Sequence, residues 1–462
     1  MLHKRPPRSA ALGFEGSQPL VHVPETASTD ENGQQIMLRS PEFMELTETE
    51  YSEYIRNRRD AFYTQLPTYA HTRSDEGQKA VYVGLVDDDG VKAAALVTFQ
   101  PWRKFFLRAS IPYGPTLDWD NEELVERFMH ELKVYLRRDP RVIALRFNPL
   151  VREARYADIK RLEPCPEAAR VKEIVGRVGG IHVQRDYFDG GDIQIRWVYV
   201  KNIEGSSFDQ VTASCKQAVR TRVSSPPDEG IEVKFLGVDE FDVFRNVMDS
   251  TVERTGMPAL HESTYTYYRD LLEHCGPEVV MIPAAILHCD QFAAGMQTKI
   301  AAIDSELAAL EELEEQKLAI GKTLSKKQHL RQAELSSDRE IFERRRREAL
   351  EVQATHGDTV PLAASYFVAT PHEFIYLCSG ACREYQGFGG VYAIHREMLM
   401  HATERGVDRY NFFGISGDFS KNASDAGVLD FKRQFRGDVE EYIGTFDVPI
   451  RKFLARKTAA IG

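Results

Sequence analysis

Apolar positions along this 462-residue chain change period several times, and each change marks an element. Leu124, Phe128, Leu132 and Leu136 recur every four residues, the stripe of an amphipathic helix over Glu122–Arg137. Before it, Ala80–Leu85 and Val91–Phe99 read as strands around Val-Asp-Asp-Asp-Gly90, a hairpin turn, and Phe105–Ile111 adds a third strand. A helix near Thr49–Arg59 precedes them, and a strand Val142–Phe147 follows. Leu150–Gly180 holds no period and reads as an irregular, charged link. The pattern restarts at Trp197–Tyr199. It continues with helix Phe208–Val223, strand Ile231–Phe235, helices Glu240–Thr255 and Glu262–Cys275, and strands Val279–Pro283 and Ala284–His288. The second run repeats the first in outline, which predicts an α+β fold of two units.

Between about Gly295 and Thr355 the composition turns to Glu, Lys, Arg, Ala and Leu, without proline. Ile300, Ile303, Leu307 and Leu310 keep three-four spacing, and Leu313, Ile320 and Leu324 carry the seam onward. Gly321–Lys326 interrupts it, and a second helix from Leu330 to Leu350 ends in the basic run Arg344–Arg347. This predicts an antiparallel coiled-coil hairpin whose arms of about 27 residues project on the order of 40 Å. From the residues alone, a dimerisation or spacer element and an RNA-contacting arm stand about equally open.

Near the C-terminus, Asp425 sits at an N-cap position, and Val428, Phe431 and Phe435 recur at i, i+3 and i+7. Gly437 stands where a left-handed stop belongs, so a short helix with an aromatic core face is expected. Lys432 follows a core-facing Phe. Its stem is expected to be pinned and its ammonium to reach a neighbouring cleft, where it could stabilise negative charge developing on a carbonyl or phosphate oxygen. The alternative is a surface lysine on a packed helix.

The order of these segments resembles the FemABX family, the peptidoglycan interpeptide-bridge aminoacyltransferases, from about Glu45 to Ile450. Its most specific parts are the Phe431-Lys432-x-x-Phe435-x-Gly437 helix and the charged hairpin. The resemblance implies two acetyltransferase-like (GNAT-type) subdomains with mixed sheets, the first over 41–195 and the second over 196–294 and 356–462. The 295–355 hairpin is inserted, and the extreme C-terminus is free to return to the first subdomain. Residues 1–40, rich in Pro, Ser, Gln and Gly, read as a disordered leader.

The implied reaction is tRNA-dependent. An amino acid passes from aminoacyl-tRNA to a side-chain amine of the stem peptide of a UDP-linked or lipid-linked muropeptide, with no cofactor and with Lys432 in the active-site cleft. A lipid-linked acceptor would bring peripheral contact with a membrane. The family pattern of Gln, aromatic and Lys at four-residue steps falls on Gln65, Tyr69 and Arg73. Arg for Lys keeps the charge and offers a bidentate fork suited to phosphate. A basic run about ten residues before Gly230-Ile231 matches at Arg220, with Lys216 and Arg222 nearby. The resemblance assigns Arg73, Arg220, Tyr69 and Arg222 to substrate binding, the two matched arginines to its diphosphate. Asn148 stands before Pro149 where the family commonly has Asp, and Asn cannot serve as a base. In some members the hairpin resembles the tRNA-gripping arm of seryl-tRNA synthetase.

Composition narrows this only slightly. With 42% hydrophobic and 28% charged residues the chain reads as ordinary globular protein, long enough for two or three units. It has no run of 18 apolar residues, and Met1–Ala11 lacks a signal-peptide core, so a cytoplasmic location is expected. Cys165, Cys215, Cys275, Cys289, Cys378 and Cys382 show no Cys-x-x-Cys spacing, which favours reduced thiols over zinc. A net charge of −11 argues against general nucleic-acid binding and leaves room for a local basic surface. Gly387, Gly389 and Gly390 follow Arg383 one residue too late for an acetyl-CoA pyrophosphate loop. They read as a bend before a Val391–His401 helix, which disfavours the runner-up, a CoA-dependent N-acetyltransferase. Binding of charged tRNA separates those two. A non-catalytic coiled-coil scaffold, the third reading, would tolerate loss of Lys432.

Overall fold

The computed structural model describes residues 41–451 apart from 57, 76, 103–104, 189–193 and 256–258. It also pairs β1 (Ser28–Thr29) with β2 (Gln35–Ile36); the expected leader otherwise lies outside the described residues. The first half runs β3 (Glu42–Glu45), α1 (Glu48–Arg56), α2 (Pro67–Asp75), β4 (Lys79–Asp87), β5 (Gly90–Trp102), β6 (Phe106–Ile111) and β7 (Thr116–Leu117). It continues with α3 (Glu122–Leu136), β8 (Val142–Phe147), β9 (Arg152–Ala157), β10 (Lys160–Pro164), α4 (Pro166–Arg177) and β11 (Ile181–Val183). The second half opens with β12 (Trp197–Asn202), α5 (Phe208–Ser214), α6 (Gln217–Val223), β13 (Ile231–Phe235), α7 (Phe241–Thr255), α8 (Glu262–Cys275), β14 (Val280–Met281) and β15 (Pro283–His288). After the arm helices α9 (Cys289–Leu318) and α10 (Lys326–His356) come β16 (Thr359–Ala369), β17 (Glu373–Ala381) and α11 (Gly390–Glu404). The chain closes with β18 (Arg409–Ile415), α12 (Ala426–Arg433), β19 (Asp438–Tyr442) and β20 (Thr445–Pro449).

Two mixed sheets carry the fold, in the orders β11-β20-β8-β6-β5-β4-β3 and β10-β9-β19-β12-β18-β17-β16-β15-β13. This is the expected α+β architecture with an inserted arm. The halves exchange strands. The Leu150–Gly180 segment is not an irregular link: β9 and β10 form a hairpin that extends the second sheet through β19, and α4 follows. In return the Tyr442–Val448 run divides at Gly444 (φ 90°), and β20 enters the first sheet between β11 and β8. Sequence periodicity hides β9 and β10 because the hairpin, with β10 as the edge strand, is studded with Arg152, Glu153, Arg155, Lys160, Arg161 and Glu163, charges that protect an edge and erase apolar alternation. Ion pairs fasten the exchange, Arg146 to Asp447 at 2.7 Å and Arg161 to Glu441 at 3.3 Å. One apolar cluster also spans both halves, joining Tyr51, Phe62, Leu96 and Tyr113 to Phe244, Tyr366 and Ile375.

The predicted helix Phe208–Val223 is two. Cys215 and Lys216 are extended (ψ 162° and 152°), and the Lys216 N–H donates to Gln434 O at 2.9 Å, which ties α6 to the end of α12. The arm is longer than expected, 30 and 31 residues. Its seam holds at Ile300, Ile303, Leu324 and Leu335, whereas Ile320 and Leu330 face outward. Its root is not separable from the body: Met296 and Ala349 belong to the second-half core, and Asp228 bridges Lys299 (2.6 Å) and Arg345 (2.7 Å).

Candidate functional site

The helix that carries Lys432 differs from its sequence reading in four details. Val428 is 45% exposed, and Leu429 fills the core position instead. Asp425 occupies the N-cap position without capping; its carboxylate accepts the Ser416 N–H at 2.7 Å and the Ser416 hydroxyl at 2.6 Å. Arg436, not Gly437, takes the left-handed turn (φ 56°). Gly437 is required for a different reason: a Cβ there would lie 2.3 Å from the Val200 carbonyl oxygen. Finally, the Lys432 ammonium does not reach into an open cleft. Lys432 is only 4% exposed, and its Nζ donates to Gly414 O at 2.6 Å and Phe413 O at 3.3 Å.

Two consecutive carbonyls can converge on one ammonium only because β18 is not a regular strand, in which they would point to opposite edges. Pairing with β12 jumps from Val198↔Gly414 to Val200↔Asn411, so β18 carries one extra residue, a bulge. Phe413 within it is left-handed, φ 59°, a conformation costly for an aromatic residue. The side chain of Asn411 holds it there, accepting the Phe413 N–H at 2.7 Å. Asn411 is fully buried, and its amide donates to Glu373 Oε1 at 2.9 Å, while Arg409 pairs with both Glu373 (3.1 Å) and Glu440 (2.7 Å). The Phe413 ring stacks on Phe62 of the first half at 6.0 Å.

Electrostatics at this point are unusual. Burial pushes Lys432 down to about 7, partly opposed by the carboxylate of Asp425. Beside it, His395 of α11 sits among the rings of Tyr376 (4.7 Å), Phe412 (5.5 Å) and Phe435 (4.9 Å). Burial, and then the Lys432 charge, push His395 down to about 3, so it is neutral at physiological pH. Its Nδ1 pairs with the Tyr410 hydroxyl at 2.8 Å. An ammonium has three N–H groups, and among the described residues two carbonyls engage two of them, which leaves a third for another acceptor.

The other residues singled out from the sequence lie elsewhere. Arg73, in the last turn of α2, places its guanidinium 4.2 Å from the Tyr267 ring centroid and 5.0 Å from that of Tyr69. With Gln78, Ser263, Thr264, Thr266 and Tyr267 it lines a pocket of about 480 Å³ between α2 and α8. Tyr69 is buried, and its ring lies against the Arg73 guanidinium. Gln65 is fully buried too, accepting the Leu96 N–H at 3.0 Å and donating to Pro112 O at 3.0 Å; it ties chain segments together. Asn148 accepts the Tyr113 N–H at 3.1 Å. Arg220 and Arg222 project from α6, which packs on α11: Arg220 is exposed and donates to Gln217, and Arg222 lies 4.6 Å from the Tyr392 ring. Tyr392 in turn leans on Phe431, the residue before Lys432, at 6.0 Å. Gly389 adopts φ 79° at the start of α11, the bend the glycine cluster predicted.

A family model described as the FemAB family matches residues 46–461. The chain belongs to the FemAB family. Aminoacyltransferase FemA of Staphylococcus epidermidis is 28% identical over 424 residues, covering 89% of this chain and 96% of the relative. Aminoacyltransferase FemA of Staphylococcus aureus is 26% identical over 428 residues, with the same coverage. Among solved structures FemX superposes with a TM-score of 0.72 at 18% identity, over 90% of this chain and 99% of that one. The fold is therefore the FemX fold, and the protein is an aminoacyltransferase of the FemAB family. Against that background Asn411, Glu373, Phe413 and His395 are the residues that sequence reasoning missed. Tyr410-Asn-Phe-Phe-Gly was visible as an apolar run, but no periodicity announces a bulge.

Proposed function

We propose that this FemAB-family protein forms a peptide bond between the aminoacyl group of an aminoacyl-tRNA and a side-chain amine of a muropeptide stem. The acceptor is linked through a diphosphate to a nucleotide or a lipid. The amine nitrogen attacks the ester carbonyl carbon, negative charge gathers on the carbonyl oxygen, and the nitrogen gives up a proton. The C–O bond to the tRNA ribose then breaks, and the ribose oxygen leaves as a hydroxyl. The ester is already activated, so orientation and oxyanion stabilisation are the protein's main tasks. Lys432 carries this reading: its ammonium is fixed by two carbonyls, desolvated, and keeps one N–H for the developing oxygen.

Arg73 in its pocket and Arg220 with Arg222 on α6 are our assignments for the acceptor's diphosphate. Arg346 and Arg347 line a groove of about 380 Å³ at the arm's root, and we assign them to the tRNA. Arg331, Arg339 and Arg345 have acidic partners within the protein, Glu306, Asp304 and Asp228, which reduces the free basic surface expected from the sequence. The decisive experiment is mass spectrometry of muropeptides from cells lacking the protein, paired with transfer by purified protein from charged tRNA. Unaltered stem peptides and no transfer would remove this reading.

A further inference from the structure

The apex of the arm is built unlike its shaft. From Gln316 to Ala333 the chain carries Lys317, Lys322, Lys326, Lys327 and Arg331 and neither Asp nor Glu, on a protein whose net charge is −11. Arg331 is engaged by Glu306 and Glu334, and Lys317 by Gln328. No ion pair among the described residues reaches Lys322, Lys326 or Lys327. Lys326 and Lys327 open α10, whose first turn holds no acid, although the positive end of a helix favours acids and disfavours cations. That local disadvantage is the kind of departure that function maintains. The same apex exposes three large aliphatic side chains, Leu318 (58%), Ile320 (66%) and Leu330 (56%). At 1.5 Å per residue, α9 carries them on the order of 45 Å from its start.

RNA would use the lysines, but its bases stack best on planar side chains, and Leu318, Ile320 and Leu330 are aliphatic. A bilayer interface uses both. Aliphatic side chains enter the boundary between headgroups and acyl chains, and lysines extend toward the phosphates. We propose that the apex of the arm docks on a bilayer surface bearing anionic headgroups. No helix among the described residues is long and apolar enough to cross a membrane, so this contact is peripheral and reversible. Salt weakens it, because exposed charges are screened within about 10 Å at 0.1 M ionic strength. The inference reaches beyond the proposed transfer reaction, and its test involves no turnover.

Full-length protein is sedimented with phosphatidylcholine vesicles, and with vesicles in which about a third of the lipid is phosphatidylglycerol. The expected result is binding to the anionic vesicles alone, released by raising the salt. Each lysine near an anionic surface contributes about fivefold in affinity, so Lys322→Gln, Lys326→Gln and Lys327→Gln together should lower binding by roughly a hundredfold. Leu318→Ser with Ile320→Ser should lower it about tenfold or more while leaving its salt dependence intact. Both variants change exposed positions and should keep the wild-type unfolding midpoint, which separates lost docking from lost folding. Equal binding to both vesicle types, or variants that bind as the wild type does, overturns the proposal. So does absence of vesicle binding together with weaker tRNA binding by the lysine variant, which would assign the apex to RNA. Loss of a dimer in the Leu318→Ser and Ile320→Ser variant, without vesicle binding, would assign it to a second copy.

Discussion

Each half of the molecule contains one parallel strand pair, and the two pairs are finished differently. In the first half β6 and β8 stay hydrogen-bonded to their ends, from Leu107↔Val142 to Ile111↔Phe147. In the second half β17 and β18 pair only over Glu373–Ile375 and Arg409–Asn411, and then separate. Both halves use the same small device beside the pair, an Asn carboxamide oxygen that accepts the N–H of a left-handed aromatic residue. Asn148 holds Tyr113 (φ 52°), and Asn411 holds Phe413 (φ 59°). Phe62 lies against both rings, at 4.3 Å and 6.0 Å. In the closed half the device ties chain segments together, with the Tyr113 hydroxyl donating to Ile195 O at 3.1 Å. In the open half it turns two carbonyls onto a buried lysine. A shared fold can thus carry the same local constraint in both halves while only one of them holds a buried ammonium, and the two differ in whether the neighbouring strand has let go.

The largest break in that contrast is Lys432→Met. Turnover should fall by about 10²-fold or more, as for loss of an oxyanion-stabilising donor, with little loss of stability because Met fits an apolar site without a buried charge. Single-turnover transfer and a melting curve check both parts, and near wild-type turnover ends the role of Lys432. Next, Arg73→Ala and Arg220→Ala should each weaken precursor binding by about 1.5–3 kcal/mol and affect a dephosphorylated stem peptide much less. Equal losses on the two ligands, measured by calorimetry, would show that neither arginine meets the diphosphate.

The paired asparagines sharpen the comparison directly. Asn411→Ala should cost roughly tenfold in turnover, because Phe413 loses its clamp and Lys432 its fixed carbonyls, plus about 1–3 kcal/mol of stability for a stranded N–H. Asn148→Ala should cost similar stability and leave turnover per folded molecule unchanged. Matching turnover losses in both variants would erase the asymmetry.

A smaller effect concerns pH. Lys432 is held at about 7 when folded against about 10.4 unfolded, so the unfolded chain binds more protons between these values. Stability should therefore rise with pH through that window, and Lys432→Met should flatten the rise, as chemical denaturation at several pH values would reveal. Turnover, if it needs the ammonium, should decline above about 7. The smallest effect belongs to the distal arm. Replacing residues 310–333 with a Gly-Ser turn leaves the root residues Met296 and Ala349 in place, so the unfolding midpoint should scarcely move and precursor binding should persist. A large drop in midpoint would show that the arm's outer half supports the body.

Much of the fold could be read in advance where apolar periodicity was strong. Val142–Phe147, Ile231–Phe235 and Glu262–Cys275 match to the residue, and the arm, both sheets and the α12 helix were foreseen in kind. What escaped was set by tertiary contact. The β9–β10 hairpin lacks apolar alternation because its strands lie at a charged edge. The break at Cys215–Lys216 is fixed by a bond to Gln434, more than two hundred residues away. The environment of Lys432 depends on a bulge, and a bulge has no period. Val428 was mistaken for core because a three-four count cannot tell which of two adjacent apolar residues, 428 or 429, faces inward.

The exchange of strands between the sheets has a consequence for how the chain is made. β20 lies inside the first sheet, between β8 and β11, yet it is made after the strands of the second half. Until it arrives, the strands of the first half wait with the open edge of β8 exposed. Synthesis from the N-terminus therefore cannot complete the first half first. β20 closes the first sheet only after β19 has joined the second, and a nascent chain stalled before Thr445 would be the form most in need of a chaperone.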